Sequence, residues 1–320
     1  MLSVQYRHYG SPEVLKLEES PIPRPRHQDV VVRMAASSVN AIDWKNRQGR
    51  FRWVSGMRRP RTHQGFDVAG EVALAGEQSG FSTGQRVFGL LGNFRGGSLS
   101  EYVVIPARQL SLAPANLEWY QVAGLPMAAT TAWQALLLNG KLKRAMKVLI
   151  NGASGGVGHY AIQIAKAYGA EVTAVSGPQN LDLCGELGAD EVVNYQETDF
   201  VRPGARYDIV FDVVNNRSLR GVASILQPKG AYIGTTPTAG LLWSTLYSRR
   251  AHFVAVQPNQ EAMQDIRRLC EAGQLTTHID RVYPLTKVVE AHRYSEQGRT
   301  RGKVIIDIAT VRMRSDLDSG

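Results

Sequence analysis

Apolar and polar positions in the middle of the chain follow the order of a buried strand, a glycine turn and a helix. The apolar run Val148-Leu149-Ile150 predicts a buried strand, which leads into the glycine-rich stretch from Asn151 to Gly158. Residues Tyr160 to Tyr168 predict a helix, and Glu171 to Val175 predicts a second strand after Gly169. Elements in this order predict the first half of a doubly wound parallel sheet.

The rest of the chain divides into two kinds of pattern. Up to about Glu118, short strand-like runs are separated by Gly, Pro and Ser, which is typical of a mainly β domain. From Val122 to about Gln257 strands and helices alternate, which predicts an open parallel sheet with helices on both faces. Beyond the glycine turn unit, the predicted elements are strands at Val30–Met34, Glu101–Ile105, Glu191–Asn194, Ile209–Val213, Ala231–Gly234, Phe253–Val256 and Lys303–Ile308, and helices at Gln121–Leu138 and Glu261–Ala272.

A chain of 320 residues exceeds what one hydrophobic core usually fills, so two domains are expected. The patterns place a β-rich domain at residues 1–121 and a nucleotide-binding domain at 122–257. Residues 258–320 are predicted to return to the first domain. The fold class is therefore α/β, with a β-rich domain beside a doubly wound sheet.

The glycine turn has the chemistry of a phosphate-binding site. Glycines permit a tight turn and close backbone approach, and the helix that follows offers free N–H groups and the positive end of its dipole. A dinucleotide is the expected ligand, although a turn that only packs the helix on the sheet is the alternative. The residues expected to contact its pyrophosphate are Ser154, Gly155, Gly156, Val157 and Gly158.

The end of the second strand bears on which dinucleotide binds. NAD-specific proteins place an acidic residue there to bind the ribose 2′-hydroxyl. Here the sequence is Ser176-Gly177-Pro178-Gln179-Asn180, which contains no carboxylate, and Ser176 and Asn180 can donate hydrogen bonds to a 2′-phosphate. NADPH is therefore favoured over NADH, although the short stretch also lacks an arginine or lysine to pair with the phosphate.

Positive charge is concentrated in one segment of a chain whose net charge is +9. Phe51 and Trp53 lie among its arginines, and no acidic residue does. We interpret the segment as a solvated surface loop. Substrate entry is the alternative, and nucleic-acid binding is not expected. Its arginines are Arg47, Arg50, Arg52, Arg58, Arg59 and Arg61.

Two other features restrict the class of protein. Cys184 and Cys270 are the only cysteines and both fall in predicted helices, so neither a disulfide framework nor a thiolate metal site is expected. The chain has no apolar run of membrane-spanning length and no signal-peptide pattern at its start, which predicts a soluble cytoplasmic protein without membrane contact.

Five segments, in the right order, resemble the zinc-independent quinone oxidoreductase branch of the medium-chain dehydrogenase/reductase superfamily, whose members are similar to zeta-crystallin. The glycine turn is one of the five, and it fits the N-G-A-x-G-G-V-G pattern of the branch. The segments are Val39–Lys45, Gly65–Val72, Leu125–Leu136, Asn151–Ala170 and Gly302–Ile305.

The resemblance implies a GroES-like catalytic domain, a Rossmann domain and NADPH-dependent reduction of a quinone or of a carbon–carbon double bond conjugated to a carbonyl. It also implies a homodimer. Gly65-Phe66-Asp67 stands where the zinc alcohol dehydrogenases carry G-H-E, and the N-terminal domain has no cysteine, so no metal is predicted. His63 is expected to be a surface or structural residue.

The resemblance also implies roles for individual residues. Asn40 matches a residue near the nicotinamide and substrate, and its amide, or the ammonium of Lys45, could donate to the oxyanion that develops on the substrate. A turn role for Asn40 and a solvated Lys45 are the alternatives, and Asp43 is expected to organise the loop. Several relatives carry tyrosines where this chain has Lys45 and Phe51. The difference counts against a quinone and leaves an enone, an enal or an acyl-thioester alkene open as the substrate.

The predicted cofactor contacts extend beyond the glycine turn. Thr131 matches a threonine near the nicotinamide, and Tyr195 matches a tyrosine that flanks the adenosine 2′-phosphate, with core packing as its alternative. Asn215 and Asn216 stand where two glycines are common, and the sequence gives no reason for the change. The full predicted cofactor set is Asn40, Thr131, Ser154, Gly155, Gly156, Val157, Gly158, Ser176, Asn180, Tyr195, Gly234, Thr235, Val254 and Lys303.

Two other functions remain open at the level of sequence. One is an NADPH-dependent carbonyl reductase, which needs a proton donor beside the carbonyl carbon, and no convincing Tyr-Lys or Ser-Tyr pair is evident from spacing. The other is a non-catalytic NADPH-binding redox sensor or RNA-binding protein, because a fold does not guarantee catalysis.

Overall fold

The three-dimensional structure is a computed structural model that describes residues 1–60, 63–92 and 96–310. The chain forms two compact units, which we call unit 1 and unit 2. Unit 1 takes in residues 1–127, 257–271 and those from 277 onward, and unit 2 takes in residues 128–256 and 272–276. The domain boundaries predicted at 121/122 and 257/258 stay predictions.

The regular elements follow one another along the chain in three groups. The first group is β1 (Leu2–Gln5), β2 (Lys16–Glu19), β3 (Asp29–Val39), α1 (Ala41–Arg47), α2 (Arg52–Ser55), β4 (Asp67–Ala75), β5 (Arg86–Leu90), β6 (Tyr102–Pro106), β7 (Leu110–Leu112) and α3 (Trp119–Trp133). The second group is β8 (Lys147–Asn151), α4 (Gly158–Ala167), β9 (Glu171–Ser176), α5 (Leu181–Glu186), β10 (Glu191–Asn194), β11 (Tyr207–Asp212), α6 (Leu219–Val222), β12 (Leu226–Gly234), α7 (Ala239–Tyr247) and β13 (Ala251–Phe253). The third group is α8 (Gln260–Glu271), β14 (Ile279–Pro284), α9 (Val288–Glu296) and β15 (Lys303–Asp307).

Unit 2 is built on a six-stranded sheet in the order β10-β9-β8-β11-β12-β13, and every pairing in it is parallel. This confirms the predicted doubly wound parallel sheet. The strand order reverses between β8 and β11, where Ile150 pairs with Phe211 and Asn151 with Asp212. Ligands of such sheets bind outside the carboxyl ends of the strands at this switch point. The strands are apolar because helices cover a parallel sheet, and Leu149 and Val210 are fully buried.

Unit 1 contains a seven-stranded sheet that is mostly antiparallel. Its main path is β14-β15-β3-β4-β5-β7, and β6 pairs with β3. The last strand, β15, lies between β14 and β3, with Val304 opposite Val39 and Ile305 opposite Ser38. This strand therefore pairs with one from the N-terminal part of the chain, and the return of residues 258–320 to the first domain stays a prediction.

Some predicted elements differ from those observed. The strand expected at Phe253–Val256 is β13, Ala251–Phe253, because Ala251 already pairs with Tyr232 and residues 254–259 lie outside any strand or helix. The helix expected at Gln121–Leu138 begins at Trp119 and changes to a π-helical turn after Trp133. The sequence patterns missed α7 and β14 altogether.

Other expectations about composition can be compared with the structure directly. Cys184 and Cys270 are both free and buried, on α5 and α8, as helix packing residues should be. Across the described ranges, no helix is both long enough and apolar enough to cross a bilayer.

Candidate active site

The glycine turn of unit 2 lies between β8 and α4, at the end of the sheet where ligands bind. Gly152 has a φ of +82°, a left-handed conformation that favours glycine. A Cβ at Gly158 would lie 2.2 Å from the carbonyl oxygen of Gly152, so a side chain there would push α4 away from the turn. Glycine is therefore required at both positions, at Gly152 by the backbone conformation and at Gly158 by the lack of space for a side chain.

Backbone N–H groups at this turn are available to a ligand. Gly155 N donates to Gly152 O at 3.2 Å, whereas the N–H groups of Gly156 and Val157 have no acceptor among the described residues. Both residues are partly exposed, and α4 begins directly after them. Unpaired N–H groups at the N-terminus of a ten-residue helix fit an anionic phosphate.

Polar side chains connect the two strands at the switch point. Asn151 Nδ2 donates to Asp212 Oδ1 and to Asn216 Oδ1, each at 2.8 Å. Asn215 has a φ of +60°, and its Oδ1 accepts from Thr235 N at 3.1 Å. These contacts explain why asparagines occupy the two positions. Asn216 accepts a hydrogen bond from Asn151 at the end of β8, and Asn215 connects the loop after β11 to the end of β12.

A group of small polar side chains lies at the end of β9. The hydroxyls of Ser154 and Ser176 are 2.7 Å apart, and Asn180 Nδ2 donates to Ser154 Oγ at 3.1 Å. Asn180 Oδ1 is buried and has no hydrogen-bond partner in the described structure. The arrangement brings together three residues that the sequence placed in the cofactor site.

Tyr195 covers the turn that follows β9. A Cβ at Gly177 would lie 3.3 Å from Tyr195 Oη, so the phenol packs on the backbone of that turn. The side chain is 58 % exposed, so the alternative of a core-packing role for Tyr195 is wrong. Among the other predicted residues, Thr131 is buried on α3, Gly234 ends β12 with Thr235 directly after it, and Val254 is buried just after β13. Their roles in binding the cofactor stay predictions.

In unit 1, Asn40 lies at the start of α1 and forms a capping box with Asp43. Asp43 Oδ2 accepts from Asn40 N at 2.7 Å, and Oδ1 accepts from Gly65 N at 3.0 Å. Asp43 therefore organises the loop, as expected. Burial raises the pKa of its carboxyl to about 7, despite these two hydrogen bonds.

Asn40 also belongs to a buried polar group with Asp67 on β4 and Lys303 on β15. Lys303 Nζ donates to Asn40 Oδ1 at 2.6 Å and lies 3.7 Å from Asp67 Oδ2. Asn40 Nδ2 donates to Asp67 Oδ2 at 2.7 Å. Burial lowers the pKa of the Lys303 amine, and the charges of Asp67 and Asp43 oppose that shift.

Asp67 receives further hydrogen bonds. Its Oδ1 accepts from Met127 N at 2.7 Å, and its Oδ2 also accepts from Ser38 Oγ. The residue is fully buried, so these bonds satisfy a charge that is out of contact with water. Lys303, predicted to bind the cofactor, is itself only 2 % exposed, and its ammonium is directed into this group of residues.

The arginine-rich segment is not uniformly solvated. Arg47 is fully buried at the end of α1, where it donates to Gly10 O and forms an ion pair with Glu296 on α9. The surface interpretation is therefore wrong for Arg47, whose guanidinium is buried beside the carbonyl of Gly10 and the partly exposed carboxylate of Glu296. The arginines that are exposed, as predicted, are Arg50, Arg52, Arg58 and Arg59, and Arg61 lies outside the described residues.

Lys45 is partly buried on α1. Its Nζ lies 5.5 Å from the centre of the Trp44 ring. Burial, together with the neighbouring charge of Arg50, lowers the pKa of its amine. Its predicted role as a donor to substrate stays a prediction.

Comparison with known proteins gives a consistent assignment. Residues 26–115 match the alcohol dehydrogenase GroES-like domain family, and residues 187–306 match the zinc-binding dehydrogenase family. The chain is 32 % identical over 325 residues to the chloroplast envelope quinone oxidoreductase homolog of Arabidopsis thaliana, covering 96 % of this chain and 98 % of that protein. It belongs to the quinone oxidoreductase family. This family is part of the medium-chain dehydrogenase/reductase superfamily, as the resemblance implied.

Two further relatives agree with this assignment. The human mitochondrial NAD(P)H oxidoreductase RTN4IP1 is 32 % identical, over 94 % of this chain and 87 % of that protein. The structure of the quinone oxidoreductase from Coxiella burnetii superposes with a TM-score of 0.88 at 30 % identity, covering 96 % of this chain and 99 % of that one. The predicted family and the predicted GroES-like and Rossmann architecture are confirmed.

One of the matched families is described as zinc-binding, but the residues around Asp67 do not offer what that metal needs. Both carboxylate oxygens of Asp67 already accept hydrogen bonds, and the Lys303 ammonium lies 3.7 Å away and would repel a cation. No group of three or more His, Cys, Asp or Glu side chains in the described ranges could hold a metal ion. These residues of the quinone oxidoreductase do not fit zinc, which needs several free N, S or O ligands.

Sequence reasoning found Asn40 and Lys303 separately and missed their partner Asp67. A signal was available: Asp67 precedes the apolar run of β4, and Lys303 precedes that of β15, where charged residues are unusual unless paired. Asp212, at the end of the apolar strand β11, carries the same signal.

Proposed function

We propose that this member of the quinone oxidoreductase family uses NADPH to reduce a quinone or a carbon–carbon double bond conjugated to a carbonyl, without a metal ion. The observation that carries the proposal is the glycine turn at the β8–β11 switch point, where the N–H groups of Gly156 and Val157 at the start of α4 have no acceptor within the described part of the chain. A pyrophosphate needs such donors, and a turn that served only for packing would not.

The end of β9 supports NADPH over NADH. The residues from Ser176 to Asn180 carry no negative charge that would repel a 2′-phosphate. Because the hydroxyls of Ser154 and Ser176 can each donate or accept, the Asn180 amide can turn over and present its NH₂ group to that phosphate. Tyr195 would flank the adenosine end of the cofactor.

Bound NADPH supplies a hydride. The residues of unit 1 would bind the acceptor and stabilise the negative charge that develops on its oxygen. A conjugated acceptor places that charge on an oxygen remote from the carbon that is reduced, so an amide or ammonium donor suffices in place of a metal. Asn40 and Lys45 are the proposed donors. We also expect a cytoplasmic homodimer, and the free edge of β13 offers one surface for pairing.

The test is oxidation of NADPH by the purified protein, followed by absorbance, with four acceptors. These are benzoquinone, phenanthrenequinone, an α,β-unsaturated ketone and a saturated aldehyde, each repeated with NADH and with a chelator. We expect turnover of a quinone or the enone that prefers NADPH and does not respond to the chelator. Reduction of the saturated aldehyde alone would favour the carbonyl reductase instead, and tight NADPH binding without any turnover would favour the redox sensor.

A further inference from the structure

The amide of Asn40 is held at both ends by groups of opposite charge. The Lys303 ammonium can only donate, and it lies 2.6 Å from Asn40 Oδ1. The Asp67 carboxylate can only accept, and it lies 2.7 Å from Asn40 Nδ2. The orientation of the amide is therefore fixed, because turning it over would place like groups against each other at both ends.

This arrangement leaves one N–H of the amide without a close partner. An amide nitrogen carries two hydrogens, and one of them is used by Asp67. The nearest other acceptor in the described structure is Ser38 Oγ, at 3.5 Å, beyond the range of a good hydrogen bond. Ser38 in turn donates its own hydroxyl hydrogen to Asp67. The second N–H is thus free to bind a ligand atom that accepts a hydrogen bond.

The charge of Lys303 also makes this N–H a better donor. An ammonium on the carbonyl oxygen draws electron density from the amide nitrogen, and hydrogen bonds in a chain strengthen one another where the dielectric is low. Lys303 and Asp67 are 2 % and 0 % exposed, so water screens this effect little. An asparagine without Lys303 would be a weaker donor and would be free to rotate.

We propose that Lys303 and Asp67 are positioning residues that hold the Asn40 amide with its free N–H directed toward the carbonyl oxygen of a quinone or enone. The inference rests on the proposed function and goes beyond it, because it assigns Asn40 and Lys303, both members of the predicted cofactor set, to the substrate side rather than to the cofactor. In this view the Lys303 ammonium is the cation that balances the buried charge of Asp67, a residue whose surroundings do not fit zinc.

The first experiment is a double-mutant cycle of Asn40→Ala and Lys303→Met, read by binding and by turnover. Binding of duroquinone is measured by calorimetry without NADPH, so that no reduction occurs. We expect each single variant to weaken duroquinone binding and to lower kcat by about tenfold, because each removes the same oriented donor. In the Asn40→Ala background, Lys303→Met should change neither quantity by more than about twofold, since the donor is already gone.

The dissociation constant of NADPH separates positioning of the substrate from a role in the cofactor site. It should stay within about twofold of the wild-type value in both single variants, because the residues act on the substrate. Lys287→Met is the matched control: Lys287 is an exposed lysine that pairs with Glu290, and its loss should leave every readout unchanged. A Lys303 effect that adds to that of Asn40→Ala, or one confined to NADPH affinity, would overturn the inference.

Lys303→Met leaves the buried carboxylate of Asp67 without a compensating positive charge, so this variant risks misfolding. The double variant Lys303→Met/Asp67→Asn removes both charges and keeps the group neutral. We expect it to fold and still to bind duroquinone about tenfold more weakly than the wild type. Wild-type binding by this variant would overturn the inference. A wild-type protein that reduces no acceptor would instead overturn the proposed function. The duroquinone dissociation constants of the wild type and the variants would still test whether Lys303 and Asp67 hold the Asn40 amide.

Discussion

Asn151, at the end of β8, donates a hydrogen bond of 2.8 Å to Asp212, at the end of β11. The two strands on either side of the switch point are thus joined at the edge where ligands bind. Asp212 also accepts from the backbone of Asn215 at 2.8 Å and of Arg217 at 3.1 Å. One buried carboxylate therefore shapes the loop beside the proposed cofactor site before any ligand is present.

The close contact at Gly158 leads to the first prediction. In Gly158→Ala the new Cβ would lie 2.2 Å from Gly152 O and 2.7 Å from Ala153 Cα, so α4 must move. We expect a loss of about 1–3 kcal/mol in the free energy of unfolding and at least about tenfold weaker NADPH binding. Chemical unfolding and cofactor titration measure the two effects.

A matched control exists one helix further on. A Cβ at Gly185, on α5, would meet no atom within 4 Å. Gly185→Ala should therefore leave NADPH binding unchanged and keep or slightly raise stability. If Gly158→Ala behaved in the same way as this control, the turn would be looser than the structure shows.

Cofactor preference should respond to a charge at the end of β9. Ser176→Asp places a carboxylate where NAD-specific proteins bind the ribose 2′-hydroxyl. We expect the ratio of kcat/KM for NADPH to that for NADH to fall by at least about tenfold, because the carboxylate repels the 2′-phosphate. Ser176→Ala, which adds no charge, is the control. An unchanged ratio in the aspartate variant would place the 2′-phosphate elsewhere.

The buried ion pair of Arg47 predicts a large effect on stability. Arg47→Ala leaves Glu296 without its partner in a place where Arg47 is 0 % exposed. We expect a loss of about 3 kcal/mol or more in the free energy of unfolding, measured in urea. Arg58→Ala, in the exposed part of the same segment, should change it by less than about 0.5 kcal/mol. Similar losses in both variants would contradict the distinction.

His292, buried on α9, predicts a pH dependence of stability. Burial and, secondly, the charge of Arg47 lower the pKa of its imidazole from 6.5 to about 3. Below about pH 6.5 this imidazole binds a proton in the unfolded chain but not in the folded protein. The residue therefore lowers the free energy of unfolding as the pH falls from 6.5 toward 3.

Removal of the imidazole should flatten that part of the pH profile. In His292→Leu, the slope of the free energy of unfolding between pH 6 and pH 4 should be shallower than in the wild type by at most about 1.4 kcal/mol per pH unit. His27→Leu, at an exposed position, should keep the wild-type slope. Parallel profiles for the wild type and His292→Leu would show that His292 does not contribute.

The sheet of unit 2 was predictable because parallel strands must be apolar on both faces. The run Val148-Leu149-Ile150 marks β8 without any knowledge of its neighbours, and glycines mark the turn that follows. The short strand β13 was misplaced because Phe253 and Val254 are as apolar as strand residues while only Ala251 to Phe253 pair with β12. Pairing decides that boundary, and the local pattern does not.

The polar group around Asn40 was less predictable because its members are distant in sequence. Asn40 and Lys303 are separated by 263 positions, and they meet because β15 pairs with β3. Arg47 shows the same limit: its neighbours in sequence are basic and exposed, yet its partner Glu296 comes from α9. Local patterns identified the elements, whereas the contacts between them depend on topology.

The place of β15 in its sheet has a consequence for synthesis of the chain. Residues 128–256 of unit 2 are continuous, so all six strands of its sheet have left the ribosome before the last part of unit 1 is made. The edge of β3 at residues 36–39, by contrast, stays uncovered until residues 303–307 emerge and insert between it and β14, whereas β6 pairs with the earlier part of β3. Unit 2 is thus the first unit that can fold completely, although it comes later in the sequence. The N-terminal strands of unit 1 cannot complete their sheet until Lys303 is made, and until then the charge of Asp67 has no partner.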